Sequence, residues 1–517
     1  MKKTKFYIVL VLAALFVAFG VTHSLKRVHQ TYQLNRTQNI SRKADKTSKT
    51  SFFTRSNMDQ INSQLTDSKY LAPTIDHKEL EQTIPGAKVY SAKEKKMVPM
   101  DVWDSWPVQK PDGTLASFHG YRLVIGLTAE NGRYSGAPTR MGLFAQPESA
   151  NQDDLSTWQF VGYLFNSKKE GVAAGDYDNY LKSSVGEWSG STYLMNDDDD
   201  SLRVFYANAY DDKKTACQIL TTAKVVLEPK SGQDWTSGLQ INHDKASDRK
   251  TVFSGDGKIY QTAAQGGGKR PHFEDDLTLR DPHFVQDGDK YYLIFEGNTG
   301  PNFNPQGSNN FNTQAYFGSK SYFNDEKKRL SQNQNTAEYD KTFFANSAIG
   351  KLELNKNFTV KKVMEPMVTG NATNDELERV NIFKHSGRWY LFTSTWGFHM
   401  ATDNKKITDN SYMLGWSSSD GINGKYQPLN GNGTVIIGDG DQAKPTMTYS
   451  YLVIPNGDDK NDNFVVTSFE GNKTFAPSYL LKMKGNSTSM INNKVLGQGV
   501  LTDQGSYYSA RPQKIVK

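Results

Sequence analysis

The sequence predicts an all-β fold, a single five-bladed β-propeller with a central axial funnel and a short helical segment at its N-terminal side. Three observations predict it. One unit recurs, a polar Gly/Asn/Asp turn followed by a short apolar and aromatic strand. Its instances are Gly120–Ile125, Ser201–Tyr206, Asp289–Phe295, Gly387–Phe392 and Asp462–Thr467. They start about 75 to 100 residues apart, long for a blade but compatible with blades that carry insertions. The composition is the second observation: 42 Gly, 26 Tyr and 27 Phe against 18 Pro in 517 residues fit a turn-rich β protein. The third is that helical periodicity largely disappears after Asp101. A pair of β-sandwiches is the structural alternative.

Taken in order, the chain opens with a basic stretch, Met1–Lys5, and an apolar run, Phe6–Val21. That is the form of an export signal. Lys26 and Arg27 follow with no clean small-residue cleavage site, so residues 1–27 are read as a signal peptide or a retained signal anchor. The protein is accordingly expected outside the cell, secreted or held at the membrane. Residues 28–52 are polar with little to bury and are read as a linker. Residues 53–517 are then the propeller domain. Thr54–Leu65 carries Ser56-Asn57 as a cap and spaces Met58, Ile61 and Leu65 as a short helix.

The totals exclude several functions. A net charge of +6 is spread along the chain without a basic run that could track a phosphate backbone, so nucleic acid is not a partner. Cys217 is the one cysteine, which excludes an internal disulfide framework and a multi-cysteine metal site. It is read as a small buried thiol. Asp197–Asp200 is read as a solvated hairpin tip.

Chemistry concentrates at three acidic places on different repeat units. Asp104 stands between two indoles in Asp101-Val102-Trp103-Asp104-Ser105-Trp106-Pro107. Strand alternation puts Trp103 and Ser105 on one face and Asp104 and Trp106 on the other. Pro107 cannot donate to a ladder, so the strand should end there or run along an edge. A carboxylate beside flat rings suits a sugar, whose apolar face the rings cover. Asp281 follows Arg280 and precedes a proline, the form of a rigid hydroxyl clamp. Glu376 and Glu378 share a face if extended, so mutual repulsion should raise one of them toward a usable general acid, with Arg379 as the alternative neutralising partner. Innermost propeller strands converge on one axis and would unite all three places.

Asp101–Pro107, Glu187–Ser191, Arg280–His283 and Asp375–Arg379, in this order, resemble the glycoside hydrolase family 68 fructansucrases, the bacterial levansucrases and inulosucrases of the Gram-positive secreted kind. Gly255–Gly257, Phe295–Gly300, Trp389–Thr393 and Thr448–Ser450 extend the similarity over about residues 54 to 509. The resemblance implies a five-bladed propeller acting on sucrose by double displacement with net retention. It implies Asp104 as nucleophile, Glu378 as acid and base, and Asp281 as transition-state stabiliser. It implies Trp103 and Trp188 as fructosyl-pocket walls, Ser189 as the hydroxyl orienting the nucleophile, Arg280 and Glu376 on the glucosyl side, and Tyr449 near the acid. It also implies a structural Ca²⁺ held by Asp275, Gln306, the Phe344 carbonyl, Asn346 and Asp375, all oxygen donors, and no organic cofactor. Sucrose and fructan acceptors are the expected partners of a monomeric chain.

Two positions depart from the family. Trp396 stands where a cationic glucose-binding group is expected, and an indole cannot supply the paired donors of Arg. Asp276 stands where an Asn often guides the growing fructan. The expected activity is a levansucrase-like fructosyl transfer from sucrose to fructan or water. An inulosucrase, a mainly hydrolytic enzyme and a non-catalytic carbohydrate-binding propeller are the alternatives.

Overall fold

In a computed structural model the chain is described over residues 49–74, 76–130, 138–212, 215–266, 279–457 and 462–514. The leader, most of the linker, Asp275 and Asp276 lie outside the described residues. Among the described residues no helix is long and apolar enough to cross a membrane.

Five antiparallel blades follow one another along the chain. Blade I is Lys96–Gln109, Tyr121–Glu130, Arg140–Pro147 and Gln159–Tyr163. Blade II is Ser184–Leu194, Ser201–Asp212, Thr215–Pro229 and Leu239–Phe253. Blade III is Arg280–Asp287, Lys290–Asn298, Ser347–Leu354 and Val360–Thr369. Blade IV is Glu378–His385, Arg388–Trp396, Asn410–Ser418 and Thr434–Asp439. Blade V is Thr448–Ile454, Asn463–Glu470, Tyr479–Lys484 and Ser487–Ile491. Every recurring unit read from the sequence falls on the second strand of a blade, the strand buried between two neighbours. Such strands need continuous apolar and aromatic content, which is why they stand out.

Closure is visible in the cores between blades. Leu123, Ile125 and Leu143 of blade I pack with Leu202, Val204 and Val225 of blade II. Phe205 and Leu220 of II meet Phe284, Leu293 and Leu352 of III. Ile294 and Ile349 of III meet Ile382, Leu391 and Trp416 of IV. Phe383 and Phe392 of IV meet Tyr451, Val453 and Phe464 of V. Val465 and Leu480 of V return to Val102, Val124 and Phe144 of I. Each fully buried side chain of this kind contributes about 1.5–3 kcal/mol, so the ring rests on five comparable apolar interfaces. The sandwich alternative is therefore set aside.

The first strand of each blade lies innermost, and these five strands neighbour one another around the axis. At corresponding places each departs from regular pairing. Register shifts fall between Trp103 and Trp106, Trp188 and Gly190, Arg280 and His283, Glu378 and Asn381, and Tyr449 and Leu452. In four of the five the shift contains a non-glycine residue with positive φ: Asp104 at 42°, Asp281 at 51°, Arg379 at 58° and Ser450 at 64°. Such residues cost about 1–3 kcal/mol each and persist only where the surroundings hold them. In blade II the close approach is met by Gly190, where a Cβ would lie 1.9 Å from the Phe205 carbonyl oxygen.

These bulges overturn the expected alternation at Asp104. Trp103 pairs with Leu127 and Trp106 with Ile125, so both indoles face one core, and Asp104 is the residue displaced. Pro107 does not end its strand, which runs on to Gln109. It lies on the innermost strand, which also pairs with Lys88–Ser91 through Lys96–Pro99 and with Thr192 at Val108.

Three further expectations are corrected or refined. Ser51–Phe52, expected at the end of the linker, pairs parallel with Val368–Thr369 as an extra strand of blade III. The short helix is Arg55–Gln60 with a 3₁₀ turn at Ile61–Ser63, and its cap is Thr54, in a capping box with Asn57. Helical structure also returns after Asp101, in an insertion between the second and third strands of blade III that holds Lys320–Gln332 and Ala337–Phe344. Asp197–Asp200 is a hairpin tip, as read, and Cys217 is buried. The insertion anchors the N-terminal arm: fully buried Arg55 reaches Glu326 at 2.8 Å and Glu338 at 2.7 Å, and donates to the Ala372 and Ala401 carbonyls. Loss of one partner from such a buried pair costs about 3–5 kcal/mol.

Candidate active site

The bulged inner strands deliver side chains from all five blades to one place. Blade I supplies Asp104, and blade II supplies Ser189, whose Oγ donates to Asp104 Oδ2 at 3.0 Å. Blade III supplies Arg280 and Asp281. Blade IV supplies Glu378, with Glu376 just before its strand, and blade V supplies Tyr449, whose hydroxyl donates to Glu378 Oε1.

Arg280 is the charge centre. Its Nε lies 2.9 Å from Glu296, and its Nη2 lies 3.0 Å from Glu376 and 3.5 Å from Glu378. His399 Nε2 approaches the same Glu376 oxygen at 3.2 Å. Carboxyl oxygens of Asp281, Glu296 and Glu378 come within 4.8 Å of one another, a spacing that could hold a cation. Here the guanidinium already supplies positive charge to two of the three.

The alternative reading, in which Arg379 neutralises the glutamates, does not hold. The strand bulges at Arg379, which turns its backbone toward Asp281: its N–H donates to Asp281 Oδ2 at 2.6 Å. Its guanidinium donates to the Ser105 carbonyl at 3.1 Å and lies over Trp106. Arg379 thus fastens Asp281 of blade III to blade I, a role the sequence reading missed because it treated the segment as a regular strand. Glu296 was also missed, although Phe295–Gly300 stood out; nothing local shows that its carboxylate meets Arg280 across the hairpin.

Burial sets the protonation states. It is the largest cause pushing Glu378 up to about 8; the Asp281 and Asp104 charges push the same way, while Arg280 and the Tyr449 hydrogen bond oppose it. The expected rise is present, but burial leads it, and the like charges that add to it are those of Asp281 and Asp104 instead of the anticipated Glu376. Asp281 is likewise raised, by burial first and then by the Asp104 charge, with Arg379 and Arg280 holding it back. A carboxyl kept protonated at neutral pH beside a second one oriented by a hydroxyl is an acid-and-nucleophile arrangement.

The aromatic residues divide. Trp103 is 2% exposed and belongs to the core beneath Asp104, whereas Trp188 is half-buried against the same cluster and keeps part of its ring open. Trp396 stacks on Tyr449 with centroids 3.8 Å apart and planes at 18°.

Four of the five residues read as calcium ligands are described, and backbone contacts gather them. Gly307, next to Gln306, donates to Phe343; Thr299 donates to the Asn346 carbonyl; Ser347 donates to the Asn374 carbonyl, next to Asp375. Gln306 Oε1 is buried with no hydrogen-bond partner. Asp375 is 0% exposed. An orphaned buried amide oxygen is the kind of donor that a hard cation takes. Asp275 lies outside the described residues.

Fold and site define a class, a β-propeller glycoside hydrolase with its carboxyls gathered on the axis. The chain belongs to glycoside hydrolase family 68, Levansucrase/Invertase, whose family model matches residues 43–501. It is 37% identical to the levansucrase of Bacillus subtilis over 87% of this chain and 90% of that one. It is 36% identical, over the same shares, to a Geobacillus stearothermophilus protein named inactive levansucrase. The crystal structure of a B. megaterium levansucrase mutant superposes with a TM-score of 0.79 at 37% identity, covering 88% of this chain and 98% of that one.

The Tyr449 hydrogen bond lowers the Glu378 pKa, so Tyr449→Phe should raise it. The protonated carboxyl infrared band lost in Glu378→Gln is expected to titrate near 8 in the parent and at higher pH in Tyr449→Phe. A midpoint that stays or falls would contradict the assignment.

Proposed function

We propose that this chain is a retaining, sucrose-dependent fructosyltransferase of the levansucrase kind. One observation carries the reading: Asp104 oriented by Ser189, and Glu378 hydrogen-bonded by Tyr449, meet on one axis with Arg280 between the glutamates.

Asp104 attacks the fructosyl anomeric carbon. The bond from that carbon to the glucosyl oxygen breaks, its electron pair stays on the oxygen, and the proton of Glu378 goes there, releasing glucose. The fructosyl group is then an ester on Asp104. Glu378, now a carboxylate, takes the proton of an acceptor hydroxyl or of water, whose oxygen attacks the same carbon and displaces Asp104. Positive charge develops on the fructosyl ring in both steps, and Asp281, held by Arg379, faces it. Arg280 and Glu376 bind the glucosyl side, while Trp188 covers the fructosyl face with Trp103 as its support. Levan is the product that the relatives' names favour.

Gln306, Phe344 through its carbonyl, Asn346 and Asp375, with Asp275, are the residues that would hold a Ca²⁺. When bound it supplies fixed positive charge tying the blade III insertion to the segment that carries Glu376. Its removal should lower stability by about 2.7 kcal/mol at a hundredfold excess over Kd. A chelator is therefore expected to lower the melting temperature and calcium to restore it; an unchanged melt would count against the ion.

The test of function is incubation with sucrose, following free glucose and free fructose. Glucose in excess of fructose is expected, because fructosyl is stored in product. Asp104→Asn should lose turnover by about 10³-fold or more. Absence of glucose release, or unchanged turnover in Asp104→Asn, would overturn the reading and favour a binding propeller.

A further inference from the structure

Blade IV's second strand ends at Trp396, and the 3₁₀ turn Gly397–His399 follows. Three rings line up there. Trp396 lies on Tyr449 at 3.8 Å and 18°, and Phe398 lies parallel to Trp396 at 6.0 Å and 10°. The innermost ring hydrogen-bonds Glu378, and the outermost, Phe398, is 37% exposed.

An exposed phenyl ring needs a reason when its backbone is this firmly held. A Cβ at Gly397 would lie 2.2 Å from the Ile407 carbonyl oxygen, so the turn is pressed against the following helix. Lys341 Nζ donates to the Phe398 carbonyl at 2.7 Å, Asp375 N–H donates to the His399 carbonyl at 3.1 Å, and Met400 N–H closes on Gly397 at 3.0 Å. The ring therefore cannot turn inward by a simple loop movement. Its stack leads from the ring that hydrogen-bonds the acid to a ring open to solvent, and the neighbouring His399 reaches Glu376, the residue read on the glucosyl side.

We propose that Phe398, backed by Trp396, is an aromatic acceptor subsite that receives a sugar ring of the incoming saccharide by stacking on its apolar C–H face. The proposal rests on the fructosyltransferase reading and deepens it. A rigid, uncharged platform costs little ordering when it binds and favours a ring over water, because water gains nothing from a π face. It would bias fructosyl transfer toward saccharide acceptors and away from hydrolysis. Trp396 also fixes the plane of Tyr449, so it is a positioning residue for the acid, and Phe398 is the cleaner probe.

The test measures glucose and fructose release from sucrose against increasing amounts of an added fructosyl-sucrose trisaccharide. In Phe398→Ala, the acceptor concentration that half-saturates transfer should rise about threefold to tenfold, the size of one aromatic contact. Phe398→Tyr should restore it, and Phe398→Leu, similar in bulk without a π face, should not. An unchanged acceptor dependence in Phe398→Ala overturns the proposal. Should the parent release no glucose, the function reading fails instead. Calorimetric titration of the same trisaccharide into Glu378→Gln, with and without Phe398→Ala, then decides the subsite by itself, and equal affinity overturns it.

Discussion

One guanidinium among three carboxylates is the constraint on which the site depends. Arg280 reaches Glu296 on its own blade and Glu376 and Glu378 from the next, all with little exposure to solvent. Without it the glutamates would repel one another in buried surroundings. With it, Glu376 and Glu296 have a cationic partner, while Glu378, the farthest of the three at 3.5 Å, keeps its proton up to about 8. Removing one member of such a group costs more than its net contribution, because an uncompensated buried charge remains. The same contact joins blades III and IV beside the axis, so charge balance and blade docking are one interaction.

The bulges explain how a repetitive scaffold makes an unrepetitive site. Regular alternation would point every second side chain of an inner strand at the axis. A residue inserted with positive φ re-aims the chain at that place instead. Asp104, Asp281 and Arg379 all sit at such residues, and each is held by a partner from another blade: Ser189, Arg379 and Ser105 respectively. The strain is distributed over the ring, and the five apolar interfaces between blades hold it.

The blade count is legible in the sequence because the second strand of each blade is flanked on both sides and must be apolar throughout. Asp104 and Asp281 are legible because charges inside an aromatic or a proline-bounded segment conflict with ordinary burial, and Glu378 because, if extended, it shares a strand face with Glu376. What is not legible is non-local. The bulge at Asp104 depends on its pairing with Leu127 and Ile125, so alternation places Trp103 and Trp106 on opposite faces when they share one. Arg379 looks like the partner of its sequence neighbours, yet the bulge at this residue hands it to Asp281. The helices after Ser308 lack enough apolar periodicity to be read as such, since their buried face is partly ionic, with Glu326 and Glu338 closed on Arg55.

The central claim is that the axis carboxyls divide into a nucleophile, Asp104, and an acid and base, Glu378. The most direct measurement uses Glu378→Gln with an aryl β-fructofuranoside, whose phenolate leaves without an acid. Attack on the donor then proceeds, while release of fructosyl, which needs the base, is slowed. Peptide mass spectrometry after quenching should find one added fructosyl unit on the peptide that contains Asp104. An adduct on another carboxylate, or consumption of the donor with no adduct, would contradict the account.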